Sequence, residues 1–438
     1  VKDGYHPESC PSVEEIAVIL ETGLGQANQR AAIVLENHLV EWLSSCITCR
    51  QRLETLQRWQ EEVGHPNPVI VARERNRARE LWRELEDLPA ERLPEELEER
   101  HFFWGMCSLL VERSKDAVAY SPSRSVTLAH AAVTLTVFLD PEYYSAPLLA
   151  DLRARAWAYL GNAQRVAGDL EAADKSLRDA LVFAGRGTGA ALTRATVADL
   201  LGSLRVDQRR LMEAVQSLQQ AADLYDRAGR SDLVGKVQLL LGNVAGIRDD
   251  VSSAILHLTR AQQLLDEDQH RFLFAHCQHS LVLFLIKAQH YEEAELRIPR
   301  LQSLWSELGH YRHLMKLRWA EGHIHLGKGQ LETALKIFYE VSSNFQNEQN
   351  LYDLALVQLD IAQVLVRLGR FRDLATVAEK AYAVLASRSV HQEALRALQY
   401  VQEAAECETA TAGMIQAVID LFSKLQTSSQ SKLTYPFT

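Results

Sequence analysis

Four residues near the start of the chain have types and spacings that suit a metal ion. His6 and Cys10 lie four apart, Cys46 and Cys49 three apart, and either spacing lets one helical turn or knuckle present two donors to a tetrahedral centre. A Cys3His zinc site is one expectation for residues 1–63. It would stabilise a module too small to build a large core, through an apparent binding energy of about 10 kcal/mol or more. A metal-free helical bundle, with these cysteines as ordinary small core residues, is the other expectation. Further along, His276, Cys277 and His279 precede His323 and His325. A nucleophilic thiol needs its base within roughly 3 Å, but Cys277 is turned about 100° from the next residue on a helix, and no orienting acid is identifiable. The chain carries no P-loop, dinucleotide fingerprint, nucleophile elbow or paired-His metalloprotease motif. The expectation is a protein that is not an enzyme and that, zinc apart, uses no cofactor.

Composition narrows what can position such residues. The 438 residues are 47% apolar and 24% charged but only 7% aromatic, which reads as an Ala/Leu-rich helical protein. No uncharged apolar run reaches the roughly 18 residues of a membrane span. A net charge of -10 argues against wholesale binding to a phosphate backbone, so direct nucleic-acid contact is not expected. Six cysteines are too sparse for a disulfide scaffold. The start at Val1 shows no basic and apolar signal pattern, and a cytoplasmic location is expected.

A repeat of forty residues organises most of the chain. Ala173/Leu177/Ala180 recurs as Ala214/Leu218/Ala221, Ala254/Leu258/Ala261, Ala294/Ile298/Leu301, Ala334/Phe338/Val341 and Leu374/Ala378/Ala381. Twelve residues upstream of the first members stand Gly161, Gly202, Gly242, Val282, Gly322 and Ala362. Two helices per repeat follow, with Gly168-Asp169, Gly329 and Gly369 at the turns between them. In the first copy Trp157, Leu160-Gly161, Gly168-Asp169, Ala173, Leu177 and Ala180 match the motif of the tetratricopeptide repeat family residue by residue. The chain therefore resembles that family over roughly residues 101–425, in the longer-helix variety of bacterial regulators. The resemblance implies an all-α fold: a tetratricopeptide-like α-solenoid, a right-handed superhelix of helical hairpins in which stacking supplies the core. Residues 101–150 are expected as an irregular capping hairpin, 151–425 as the repeats and 426–438 as a polar tail.

The N-terminal segment reads differently. Cys46, Cys49, Arg50 and Leu53-Glu54 are similar to the small zinc-binding domain of bacterial anti-sigma factors. The family's His four before the first Cys is Trp42 here, and His38 lies some 12 Å along a continuous helix from Cys46, at about 1.5 Å per residue. The resemblance implies zinc and a sigma factor as partner; either His6 substitutes, the helix breaks, or the metal has been lost. Residues 64–100 are expected to be a linker and a connecting helix, the latter carrying mixed charges over Ala72 to Arg100, including Arg73, Arg75, Arg77 and Arg79, and packing through Leu81, Trp82 and Leu85.

In the repeats, positions six before, three before and one after each of Gly161, Gly202, Gly242, Val282, Gly322 and Ala362 share one face of the first helix, the face that looks into the groove in proteins of this type. They include Arg155, Asn162, Lys236, Asn243, His276, His279, Lys316, Trp319 and His323. The alternation of basic and amide groups resembles the carboxylate clamps of peptide-binding tetratricopeptide proteins; solvated groove residues in an acidic protein are the plainer reading. Lys236 and Lys316 are expected to be exposed. The function expected from the whole is a regulatory adaptor holding a protein or peptide partner. Its alternatives are a peptide- or ligand-sensing regulator, or a subunit or target of a signalling or defence machine containing a protease.

Overall fold

The structure, a computed structural model, describes residues 51, 68–89, 92–386, 401–402, 411 and 413–420. His6, Cys10, Cys46 and Cys49 lie outside these residues, as does the polar tail. Every regular element among the described residues is a helix. The chain divides into two compact units, which meet in sequence between Val237 and Gln238.

The first unit opens with α1 (Pro68–Leu85), α2 (Trp104–Ala117), α3 (Pro122–Leu135) and the single turn α4 (Pro141–Tyr144). The connecting helix expected to reach Arg100 stops at Leu85, because Pro89 and Pro94 cannot continue it and restrict the residues before them. Trp82 and Leu85 pack in one cluster with Trp104 and Leu110. The Glu74 carboxylate accepts from the N–H of Gly105 at 2.9 Å and from the hydroxyl of Tyr144 at 2.7 Å. A Cβ on Gly105 would lie 2.6 Å from the Glu74 carbonyl, so glycine is what lets α1 and α2 touch. Arg75 pairs with Glu112 at 3.1 Å and Arg77 stands over the Phe103 ring. Arg75 and Arg77 are thus engaged within the unit.

Hairpins follow: α5 (Ala146–Ala167) with α6 (Leu170–Arg186), α7 (Ala191–Asp207) with α8 (Leu211–Arg227), then the start of α9 (Ser231–Ile247). Helix α5 ends on Gly168 at φ 92°, and Asp169 caps α6 by accepting from the Ala172 N–H at 3.0 Å. The marker residues Ala173, Leu177 and Ala180, and likewise Ala214, Leu218 and Ala221, are wholly buried. A Cβ on Gly161 would meet Leu177 Cγ at 2.8 Å, and one on Gly202 would meet Leu218 Cγ at 2.7 Å. The small residue of the first helix and the apolar one of the second therefore form a single close contact, repeated.

The second unit holds the rest of α9, then α10 (Val251–Leu264), α11 (Arg271–Lys287), α12 (Tyr291–Glu307), α13 (Tyr311–Gly327), α14 (Leu331–Asn347), α15 (Leu351–Arg367) and α16 (Phe371–Ala386). Residues 413–420 are helical, and Ile415 and Val418 join the core of Phe338, Phe345 and Leu365. Gly242 faces Leu258 and Gly322 faces Phe338, in the register seen in the first unit. At the turn between the helices of a hairpin, Gly329 and Gly369 take positive φ; the equivalent residues Asp249 and Gln289 do so without being glycine.

Candidate functional site

A side chain on the first helix of one hairpin meets the residue 37 further on, which is one repeat less one helical turn. Asp199 on α7 and Lys236 on α9 have that separation and lie 3.0 Å apart. Asp199 is almost fully buried, and the hydroxyl of Tyr225 donates to the same carboxylate oxygen at 3.4 Å. Its other oxygen, Oδ1, has no hydrogen-bond partner among the described residues. Burial alone would depress the Lys236 ammonium, but Asp199 more than offsets this and raises its pKa. The expectation that Lys236 is an exposed contact is corrected: its side chain is only 26% exposed and ion-paired. Asn162 accepts from Arg165 at 3.0 Å, and Arg165 in turn reaches Asp207 at 2.6 Å. Arg155 is half-buried on the same helix as Asn162.

In the second unit the same 37-residue separation joins His323 to Asp360 at 3.2 Å and Lys316 to Asp353 at 3.9 Å. The indole N–H of Trp319 also donates to Asp360, at 2.6 Å. Burial pulls the His323 pKa down; the Asp360 carboxylate outweighs it and leaves the group raised. Lys316 is exposed as expected, and Asn243 is half-buried.

The register also brings His276 against His313, with ring centroids 4.8 Å apart, and His279 into the field of Lys316. Trp305, at the end of α12, stacks on His313 at 4.2 Å and presents its edge to His276 at 4.8 Å. Burial first, then His313, His279, His310 and Lys316, pushes His276 down to about 2. Burial followed by His313 and Lys316 pushes His279 to about 3. For His313 burial leads, with His310, Lys316 and Arg312 behind it, and the value falls to about 4. Cys277, between the two α11 histidines in sequence, turns away from them: its buried thiol donates to the Leu258 carbonyl at 3.2 Å, and burial pushes it up to about 12. Among the described residues no group of three or more His, Cys, Asp or Glu has the geometry to hold a metal ion.

The structure therefore brings His276, His279 and Lys316 together, and separately Trp319 and His323; it does not line up the basic residues as free charges. Sequence reasoning missed Asp199, His313, Asp353 and Asp360, the partners that decide the electrostatics. The signal was present as the 37-residue separation, which pairs each of them with a residue already singled out.

No protein-family profile matches the sequence, and no curated protein does. Among solved structures, the fold is similar to that of a Rap protein complexed with competence and sporulation factor, with a TM-score of 0.50 and 10% identity over 73% of this chain and 87% of that one. It is also similar to a signal transduction ATPase with numerous domains that carries a tetratricopeptide repeat sensor, from Pyrococcus horikoshii. There the TM-score is 0.50 and the identity 15%, over 96% of this chain and 56% of that one. These are likenesses of fold, and they agree with the repeat read from the sequence: the chain is an all-helical, tetratricopeptide-like solenoid.

Proposed function

We propose that the chain is a cytoplasmic regulatory adaptor, without catalytic activity, that holds a protein or peptide partner on the first-helix faces of its repeats. The observation that carries this reading is a set of buried polar atoms on those faces with no hydrogen-bond partner among the described residues, namely Asp199 Oδ1 in the first unit and the Nδ1 atoms of His279 and His313 in the second. Buried polar atoms are normally paired, and a polar segment that displaces the side chains covering them supplies the missing bonds. The Rap protein was solved with competence and sporulation factor, and the repeats of the Pyrococcus protein are described as a sensor; both support a binding surface, and the first favours a peptide- or ligand-sensing form of the same reading. Through its likeness to anti-sigma domains, the N-terminal segment extends the proposal to a second partner, a sigma factor, engaged by a module that His6, Cys10, Cys46 and Cys49 close around zinc. Membership of a larger machine containing a protease is the remaining form.

Co-purification of the full chain from its native host tests the proposal, with Lys316→Glu alongside. Lys316 is exposed but pairs with Asp353 at 3.9 Å, so the reversal is read against a melting curve of the variant; it weakens an acidic partner's binding by about 2 kcal/mol. Partner recovery unchanged by Lys316→Glu, with unchanged melting, overturns it.

A further inference from the structure

In the second unit three imidazoles gather beside one ammonium, Lys316, whose carboxylate partner Asp353 lies 3.9 Å from it. Elsewhere the 37-residue register places a carboxylate opposite a base, as at Asp199 and Lys236 or His323 and Asp360. Here it places His276 opposite His313, and His279 beside Lys316. The rings are fixed in place: Trp305 stacks on His313, and the Phe272 and His276 rings meet edge to face at 4.5 Å. His279 is 7% exposed, and among the described residues its Nδ1 has no hydrogen-bond partner; nor has Nδ1 of His313. Among the described residues no carboxylate bonds or pairs with either imidazole, and Asp353 comes only to Lys316, at 3.9 Å. His310 and Arg312, at the start of α13, also act on His313, while α12 contributes the uncharged Trp305.

We infer that His276, His279, His313 and Lys316 form a binding site for a single oxyanion, a carboxylate or phosphate group, taken up together with protons. The inference rests on the reading of this face as a binding surface and names the chemistry of what it takes. When the site is empty, burial and Lys316 keep the imidazoles neutral. An oxyanion reverses that field: it stabilises the imidazolium form, and the free nitrogens become donors of charge-assisted hydrogen bonds. The exposed Lys316 and half-buried His313 form the side open to solvent. A clamp built from lysine, arginine and asparagine is charged before its ligand arrives; this one gains most of its charge with the ligand, so its affinity depends on pH.

The test is isothermal titration of the full chain with acetate and, separately, with inorganic phosphate, at about pH 6 and about pH 8 and constant ionic strength, in buffers of different ionisation enthalpy. Acetate, whose charge is the same at both pH values, is expected to bind with net proton uptake and about tenfold tighter at the lower pH. Lys316→Gln, at an exposed position, is expected to weaken binding without affecting folding, and His279→Gln to weaken it further. Binding of both anions assigns a carboxylate source, and binding of phosphate alone a phosphate source. The inference is overturned if neither anion binds, if no protons are taken up, or if Lys316→Gln leaves affinity unchanged. No partner takes part in this titration, so its failure leaves the adaptor reading standing, and a failed co-purification leaves the oxyanion site standing.

Discussion

At Asp199 and Lys236 the first unit sets an acid against a base; in the second, the same separation along the chain sets His276 against His313 and His279 beside Lys316. In both places the later of the two first helices packs a glycine on a large apolar side chain, Gly242 on Leu258 and Gly322 on Phe338, while the earlier carries Gly202 in one and Val282 in the other. The chemistry is opposite. The first cluster is neutralised from within and leaves over a carboxylate oxygen, an acceptor; the second leaves over imidazole nitrogens. A solenoid decides which positions meet, and the residue types then decide whether the meeting closes the surface or leaves it open to a ligand.

Breaking the acid–base side of this contrast carries the largest expected effect. Asp199→Ala leaves a half-buried lysine without its counter-charge, which costs about 3 kcal/mol in urea unfolding. Joint replacement by Asp199→Leu and Lys236→Met is expected to recover most of that loss, since a buried pair is often matched by apolar residues of similar size. The Lys236 pKa is raised in the folded chain, so its contribution is complete below the unfolded value of about 10.4 and is lost only as pH rises through the folded one. At neutral pH the full cost should appear. A loss well under 1 kcal/mol for Asp199→Ala would mean that the pair is surface decoration and the contrast is empty.

The forty-residue register was legible because close approach is a demanding constraint: Gly161 and Gly202 have no room for a Cβ beside Leu177 and Leu218, and only a few residue types satisfy that. The extent of α1 was overestimated because its charge pattern continues past Leu85 although two prolines stop the helix. On the first-helix faces, Lys236, His276, His279, Lys316, Trp319 and His323 could be picked out by position. Their pairing could not, because each partner comes from another hairpin and is seen only once the helix offset between hairpins is known. Asp199 and Asp360 looked like ordinary acids in an acidic chain, and they reverse the meaning of Lys236 and His323.

Acid sharpens the contrast next. His276 and His279 are held to about 2 and about 3, so from about pH 6.5 downward the unfolded chain binds protons that the folded chain refuses. Stability is therefore lost as pH falls, at about 1.4 kcal/mol per pH unit for each of the two once the unfolded imidazoles are protonated. His313, His257 and, in the first unit, the buried His101 have pKa values lowered in the same direction. Comparing wild type with His279→Gln isolates one group: the variant's stability should fall less steeply between about pH 6 and about pH 5, by about 1 kcal/mol over that interval. Hydrogen exchange should show the acid-induced loss of protection in 271–327 before 191–227. Equal slopes in the two proteins would remove the histidine cluster from the account of acid sensitivity.

His323 supplies the smallest effect and the opposite sign, within the same unit. Its folded pKa is raised by Asp360, so its contribution is fully present below about 6.5 and is lost as pH climbs through the folded value. His323→Gln keeps a neutral donor toward Asp360 but cannot carry the charge, while Trp319 still donates to the same carboxylate. At about pH 6 the substitution is expected to cost about 1 kcal/mol, the scale of a partly buried hydrogen bond to a charged group; at about pH 9 it should cost close to nothing. The difference between the two pH values carries the argument, because a packing defect against Phe338 would cost the same at both. If the cost does not change with pH, the Asp360 pair does not distinguish His323 from the cluster of His276, His279 and His313, and the rule that an opposing acid decides each site fails at the position where it is easiest to test.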